Sequence, residues 1–427
     1  MNRILSRVVN RLVRKGQLSI TGPDGVLERF GDGSGEPVHI VIHTRHAERR
    51  ITFDPELGLP ESYMDGELDF LEGDVLGLLR IAYSNMDARY GVSAVWTRAI
   101  EGLRFSLRRF QQLNTARRSR ANVQRHYDLS DEFYRLFLDD DMQYSCAYFA
   151  RPDMTLDEAQ AAKKRHLAAK LRVGPGQSIL DIGSGWGGLG LYLARTFDAD
   201  VLGVTLSTEQ HTVATERAHA EGLDGHVHFE LRDYRDLHER FDRIISVGMF
   251  EHVGINHYST FFDKAAALLK PDGVMVLHAI GRSGPPSVTS AFIRKHIFPG
   301  GYIPALSEVL PHIERAGLVV DDIEILRLHY AETLKAWRER FAANRDKAKA
   351  LYDERFCRMW EFYLAGSEAA FRWQDLMVFQ FQLTKRNDAL PITRDYIAET
   401  ERALAPQPKM PSRPRPAAKA SQARTPK

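Results

Sequence analysis

The sequence predicts an α/β protein, with a doubly wound parallel sheet in its larger part and a small α+β domain before it. Three observations carry that reading. An apolar run, Ser178-Ile-Leu-Asp-Ile182, enters a glycine turn, Gly183-Ser-Gly-Trp-Gly187, and an amphipathic segment from Leu189 to Phe197 follows. That is the order of a buried strand, a tight turn and a helix start. Further apolar runs at 200–205, 226–231, 242–247 and 273–279 alternate with helix-forming segments, the pattern of a parallel sheet that binds ligands beyond its strand C-termini. Residues 17–55 are instead rich in strand formers separated by Gly/Asp/Ser turns, as in a small sheet of its own.

In chain order, residues 3–15 read as an amphipathic helix, with Arg3, Arg7, Arg11 and Arg14 on one face and Leu5, Val8, Val9 and Leu12 on the other. Such a helix either packs on its own domain or lies on anionic lipid. Leu18-Ser-Ile20, Val38 to His43 and Arg50 to Phe53 read as strands, and Gly66 to Asp74 leads into an apolar helix, Val75 to Tyr83. These make up a domain of residues 1–90. Residues 91–119 read as a basic helical connector; between Arg98 and Arg125 stand eight arginines and one acid, Glu101. The second domain takes residues 120–403, and a polar helix, Leu156 to Leu171, precedes its first strand. Residues 282–312 break the alternation. Phe292 to Gly301 reads there as a helix ending in a turn, placed over the ligand edge of the sheet, where long insertions cap sites. Gly317 to Val320 and Ile323 to Leu326 read as late strands, and Tyr330 to Leu364 and Ala369 to Lys385 as amphipathic helices. Residues 404–427 are Pro/Ala/Lys-rich, with six basic residues and no acid, and read as a disordered basic tail.

A chain of 427 residues can bury a large core. Its formal net charge of +2 excludes a general polyanion binder, and no nucleic-acid partner is expected. Two cysteines, Cys146 and Cys357, give no disulfide framework and suit a reducing cytoplasm. No apolar run approaches the roughly 20 residues of a membrane span, and the basic N-terminus lacks the apolar core of a signal peptide. A protein of this kind meets a membrane from its cytoplasmic face. His252 and His257 are five apart with no cysteine pair beside them, so no metal site is expected.

The glycine turn allows positive φ and close approach of a ligand to the backbone, and the helix start adds free N–H donors. A dinucleotide site would need an acidic residue about 20 positions on. The second strand instead ends in Thr205-Leu-Ser-Thr-Glu-Gln210, with no carboxylate at its tip, and Asp181 is ill placed to face a pyrophosphate. Asp181-x-Gly183-x-Gly185-x-Gly187 resembles the S-adenosylmethionine loop of class I methyltransferases.

Further stretches narrow the resemblance. Tyr144-Ser-Cys-Ala-Tyr-Phe149, Leu180 to Gly187, Val204 to Gln210, Ser246-Val-Gly-Met-Phe-Glu-His-Val-Gly254 and Phe292 to Gly301 stand in the order found in the cyclopropane-fatty-acyl-phospholipid synthase family. The likeness runs from about Arg120 to Arg386, and the first domain is similar to the small lipid-carrier-like domain of long bacterial members. The resemblance implies a class I methyltransferase (Rossmann-like) domain with helical additions. It implies S-adenosylmethionine as cofactor, with Tyr144 and Ser145 closing over the methionine end. Ile179 to Gly187 would form the floor, including Asp181, Gly183, Ser184, Gly185 and Gly187. Thr205, Leu206 and Gln210 would lie near the ribose and Asp233 and Tyr234 at the adenine.

The implied reaction is methyl transfer to the cis double bond of an unsaturated acyl chain in a membrane phospholipid, then proton loss to close a cyclopropane ring. An alkene is a poor nucleophile, so the protein must hold it against the methyl, keep water from the carbocation and provide a base. By resemblance the base is a bound bicarbonate, caged by Cys146, Glu251, His278, Ile280 and Tyr330. Glu251 follows the fourth strand of the alternation and His278 ends the fifth, so both face the C-terminal edge. His252 is an alternative direct base. Tyr148, Phe149 and Phe250 are candidate aromatic faces for the cation. Some relatives carry a cysteine where this chain has Ser367. The same cofactor also serves methyl or methylene branching of acyl chains and N-methylation of small molecules; a non-catalytic lipid-binding protein is the remaining reading. Expected partners are anionic bilayer surfaces, unsaturated acyl chains and a second copy in a homodimer.

Overall fold

The computed structural model describes residues 1–86 and 129–405. The expected connector at 91–119 and the tail after Ala405 lie outside the described residues.

The first unit is a four-stranded sheet in the order β2-β1-β3-β4, from β1 (Gln17–Thr21), β2 (Leu27–Phe30), β3 (Pro37–Ile42) and β4 (Leu68–Glu72). Alternation sets its inner face: Val38, Ile40 and Ile42 of β3 are buried while their neighbours are partly exposed. The N-terminal helix is Arg3–Leu12. Leu5 enters the core of this unit, with Val9 and Leu12 packed against it, whereas Ile4 and Val8 remain 52% and 44% exposed. Its apolar face is therefore divided between its own domain and the outside.

The expected strand at Arg50 to Phe53 is instead the end of a helix, Arg45–Phe53. Thr44 caps it, its side chain accepting from the Ala47 N–H at 3.0 Å. The cap and tertiary packing of Ala47 outweigh the strand preference of Ile51-Thr-Phe53. A further helix, Pro55–Met64, starts at once with proline in its first turn.

The helix Val75–Ser84 is apolar nearly all round because both its sides are covered. Leu78 and Ile81 belong to the core of the small sheet, and Val75 and Leu79 to the core that also holds Trp360 and Phe362 of a long helix in the second unit, Glu354–Trp373. Arg358 of that helix donates to Asp69 Oδ1 at 2.7 Å and to the Tyr63 carbonyl at 3.1 Å, and lies over the Tyr63 ring. Tyr63 OH donates to Glu361 at 2.8 Å. Arg358→Ala is expected to cost about 2 kcal/mol by stranding these acceptors, read as a lower urea midpoint with the slope unchanged.

The second unit is a seven-stranded sheet in the order β10-β11-β9-β8-β5-β6-β7. The strands β5 (Ser178–Ile182), β6 (Asp200–Thr205), β7 (Val227–Leu231), β8 (Phe241–Val247) and β9 (Leu269–Arg282) are parallel. The sheet is mixed, because β11 (Leu376–Thr384) runs antiparallel between β9 and β10 (Val319–Leu326). That corrects the expected helix at Ala369 to Lys385. The helix Glu354–Trp373 stops after Trp373, and β11 is buried on both faces, including Gln380 and Gln382. The segment expected as one helix at Tyr330 to Leu364 comprises His329–Ala343, Arg345–Leu351 and most of Glu354–Trp373. Among the described residues no helix is long and apolar enough to cross a membrane.

Candidate active site

β5 delivers the chain into Gly183, Gly185 and Gly187, all at positive φ (85°, 56° and 83°). Their tasks differ. A Cβ on Gly183 would lie 2.8 Å from Met249 Cβ, and one on Gly187 would lie 2.6 Å from Phe229 Cζ. A Cβ on Gly185 would meet nothing within 4 Å. Gly185 thus faces a cleft, while Gly187 lets the helix Gly188–Phe197 pack on the sheet.

That cleft has a volume of about 160 Å3. Tyr144, Ser145, Asp181, Gly183, Ser184, Gly185, Thr205, Leu206, Gln210, Asp233 and Tyr234 all line it, and Gly187 does not. Thr205 Oγ1 donates to Gln210 Oε1 at 3.1 Å, and Ser207 caps the following helix by accepting from the Gln210 N–H. Asp233 is held by Arg235 through two bonds, at 2.9 and 2.6 Å. Arg235, Met249 and His257 also line the cleft and were not assigned to it from the sequence; Arg235 adjoins the Asp233-Tyr234 turn, and Met249 stands in the Ser246 to Gly254 stretch.

Burial pushes the Asp181 carboxyl up to about 7, against the pull of Lys163. The sign of the consequence follows. Between about pH 4 and 7 folded Asp181 keeps a proton that the unfolded chain releases, so its contribution to stability falls as pH rises through that window. Asp181→Asn removes this loss. The ligand-free variant is expected to gain on wild type steadily from pH 4 to 7, by roughly 3 kcal/mol in all, measured by urea unfolding at several pH values.

Residues 143–149 form a strap beside the cleft, fixed by neighbours the sequence did not flag. Gln160 Nε2 donates to the carbonyls of Gln143 and Ser145 at 3.1 and 3.0 Å. Lys163 Nζ donates to Gln143 Oε1 and Ser145 Oγ at 2.7 and 2.8 Å. Lys163 is wholly buried, and burial pushes it down to about 8. The helix Leu156–Leu171 turns these polar residues inward. Tyr144 OH meets Tyr363 OH at 2.9 Å.

A second cavity of about 1070 Å3 is lined by all five expected cage residues, Cys146, Glu251, His278, Ile280 and Tyr330. It shares Tyr144, Ser145, Gly248 and His252 with the cleft, so the two spaces meet at one wall. Glu251 is buried after β8. Its Oε1 accepts the Ile280 N–H at 2.6 Å, and its Oε2 has no hydrogen-bond partner. The Ile280 N–H, expected to face an anion directly, is therefore taken up by Glu251. Burial pushes Glu251 up to about 7. His278 Nδ1 accepts from Gln380 Nε2 at 3.1 Å, which leaves its proton on Nε2. Burial, with Lys163 and Lys170 nearby, drives the His278 pKa well down, so the ring is neutral. Burial raises the Cys146 thiol, which stays protonated. The His278 Nε2–H and a reluctant carboxylate, Glu251, suit a small anion bearing its own hydroxyl.

Other expectations change. His252 is pushed down to about 4 by burial, which makes it a weak base. Tyr148 is stacked between His166 and His329, at 4.2 and 5.0 Å, and Phe250 packs on Tyr258 and Phe261 in the core. Neither they nor Phe149 line either cavity. The aromatic wall comes from Phe292, Phe298, Phe362, Tyr363 and Phe371, and Ser367 stands in it. Phe292 and Phe298 flank the π-helical turn Ile293–Ile297, so the 282–312 insertion does cover the ligand edge.

A mixed seven-stranded sheet of this order, with a glycine-loop cleft beyond β5 and β6, defines a class I S-adenosylmethionine-dependent methyltransferase. The chain belongs to the mycolic acid cyclopropane synthetase family, whose model matches residues 114–381. Residues 4–91 match a second model, Domain of unknown function (DUF7884). The chain is 37% identical over 376 residues to the cyclopropane-fatty-acyl-phospholipid synthase of Escherichia coli (strain K12), covering 88% of this chain and 92% of that protein. It is 36% identical over 400 residues to the tuberculostearic acid methyltransferase UfaA1 of Mycobacterium tuberculosis, covering 90% of each. Among solved structures, the cyclopropane synthase MmaA2 from Mycobacterium tuberculosis superposes with a TM-score of 0.60 at 36% identity, over 64% of this chain and 99% of that one. The mycolic acid cyclopropane synthase CmaA1, complexed with SAH and CTAB, gives 0.59 at 39% identity, over 62% and 97%.

Proposed function

We propose that this protein transfers the methyl group of S-adenosylmethionine to the cis double bond of unsaturated acyl chains in membrane phospholipids and closes a cyclopropane ring by proton loss. One observation carries the reading. A cleft over a methyltransferase glycine loop and a large, mostly apolar cavity meet at Tyr144, Ser145, Gly248 and His252. The cleft residues from Tyr144 to Tyr234 would hold the methyl donor. The cavity would hold the chain, and its aromatic wall keeps water from a carbocation.

The orphaned Oε2 of buried Glu251 fits a hydroxyl-bearing anion, so bicarbonate is assigned to the cage of Cys146, Glu251, His278, Ile280 and Tyr330. When bound there it supplies a proton acceptor. The chain's own part is orientation: His278 offers Nε2–H, Glu251 offers Oε2, and the Ile280 N–H fixes Glu251. Contact with an anionic bilayer is assigned to the helix Arg3–Leu12, where Ile4 and Val8 stay exposed beside Arg3, Arg7 and Arg11.

The test is incubation of purified protein with labelled S-adenosylmethionine and monounsaturated phospholipid vesicles, followed by lipid mass analysis. A gain of one methylene that resists hydrogenation supports the ring. A hydrogenation-sensitive or branched product, or label in amines alone, overturns it.

A further inference from the structure

β9 runs four residues beyond His278. Strand alternation puts His278, Ile280 and Arg282 on one face, and all three line the large cavity. Arg282 ends that row. Its side chain is only 12% exposed, yet its Nε has no hydrogen-bond partner, and its nearest carboxylate, Asp375 Oδ2, stands 3.5 Å from Nη1. A buried guanidinium held this loosely keeps donors for something else. We propose that Arg282 is the head-group subsite of the acyl cavity and binds the phosphodiester of a glycerophospholipid; this rests on the acyl-chain reading above.

The spacing agrees with the chemistry. Four residues of extended strand separate His278 from Arg282, about 13 Å. An acyl zigzag of roughly 1.5 Å bonds covers that distance in about ten carbons, which sets a double bond near mid-chain beside His278 when the head group is held. The guanidinium fork matches phosphate oxygens in pairs. Asp54, Glu56 and Asp375 share the cavity lining. Carboxylates repel a dianionic phosphate monoester more than a phosphodiester with a single negative charge.

The experiment compares wild type, R282Q and R282K on monounsaturated phosphatidylethanolamine and on diacylglycerol with the same acyl chains, both in neutral detergent micelles. The ratio of kcat/KM for the two lipids is read within each variant, so a general loss of folded enzyme cancels. Wild type is expected to favour the phospholipid, and R282Q to lose roughly tenfold or more of that preference, with R282K between them. A wild-type ratio retained in R282Q overturns the assignment. Inhibition of both lipids alike by inorganic phosphate, in wild type but not R282Q, also overturns it and makes Arg282 a free-phosphate site. Wild type that modifies neither lipid sinks the acyl-chain reading itself, an outcome distinct from a change in ratio.

Discussion

Glu251→Gln is expected to lower kcat by roughly 100-fold or more while leaving S-adenosylhomocysteine affinity nearly unchanged, measured by steady-state turnover and calorimetric binding. The variant is isosteric, and its amide oxygen can still accept the Ile280 N–H that Glu251 Oε1 takes at 2.6 Å. What changes is the other atom. Oε2, buried with no partner, becomes an NH2 that only donates. An anion that offers its own hydroxyl hydrogen to Glu251 loses its acceptor. The pH profile separates this from a packing defect. Glu251 sits near 7, and only the ionised form accepts at Oε2. Wild-type kcat is expected to rise with pH through about 7, and the rise should vanish in the variant. Full activity in Glu251→Gln would remove Glu251 from the cage.

The parallel strands β5 to β9 were legible because each is a short apolar run between turn residues, and the glycine loop gives the first of them a direction. The cage came from the family resemblance; strand order by itself places only Glu251, after β8, and His278, in β9, toward the edge where ligands sit. β11 was not, since Leu376 to Thr384 is buried on both faces and has no outward period to distinguish it from a buried helix. Gln380 and Gln382 inside it look like surface positions, yet they bond to His278 and Tyr396. The same inversion hid Gln160 and Lys163, which read as the polar face of a helix and instead hold the strap over the cleft. The aromatic wall escaped for another reason. Phe362 and Tyr363 reach the cavity from a helix more than a hundred residues after the glycine loop, and no local pattern reports such a contact.

Gly185→Val is expected to abolish methyl-donor binding in a protein that still folds, whereas Gly187→Val should fail to fold stably. At both positions a β-branched residue meets a left-handed backbone, at φ 56° and 83°, a penalty of about 1–2 kcal/mol. Beyond that they diverge. At Gly187 the new carbon would drive into Phe229 and Ala214 at 2.6 and 2.9 Å, inside the seam between helix and sheet, and a close-packed seam cannot yield that much. At Gly185 the nearest neighbours are beyond 4 Å, and the isopropyl group projects into the cleft that Asp181, Thr205 and Asp233 also line. The loss there falls on the ligand. Calorimetry with S-adenosylhomocysteine should show Gly185→Val weakened by roughly 100-fold or more, equivalent to about 3 kcal/mol. Its ligand-free thermal midpoint should drop by only about 2–4 °C for each kcal/mol of backbone strain. Wild-type affinity in Gly185→Val would place the methyl donor away from the glycine loop, and the apolar cavity would then face the wrong partner across the wall of Tyr144, Ser145, Gly248 and His252.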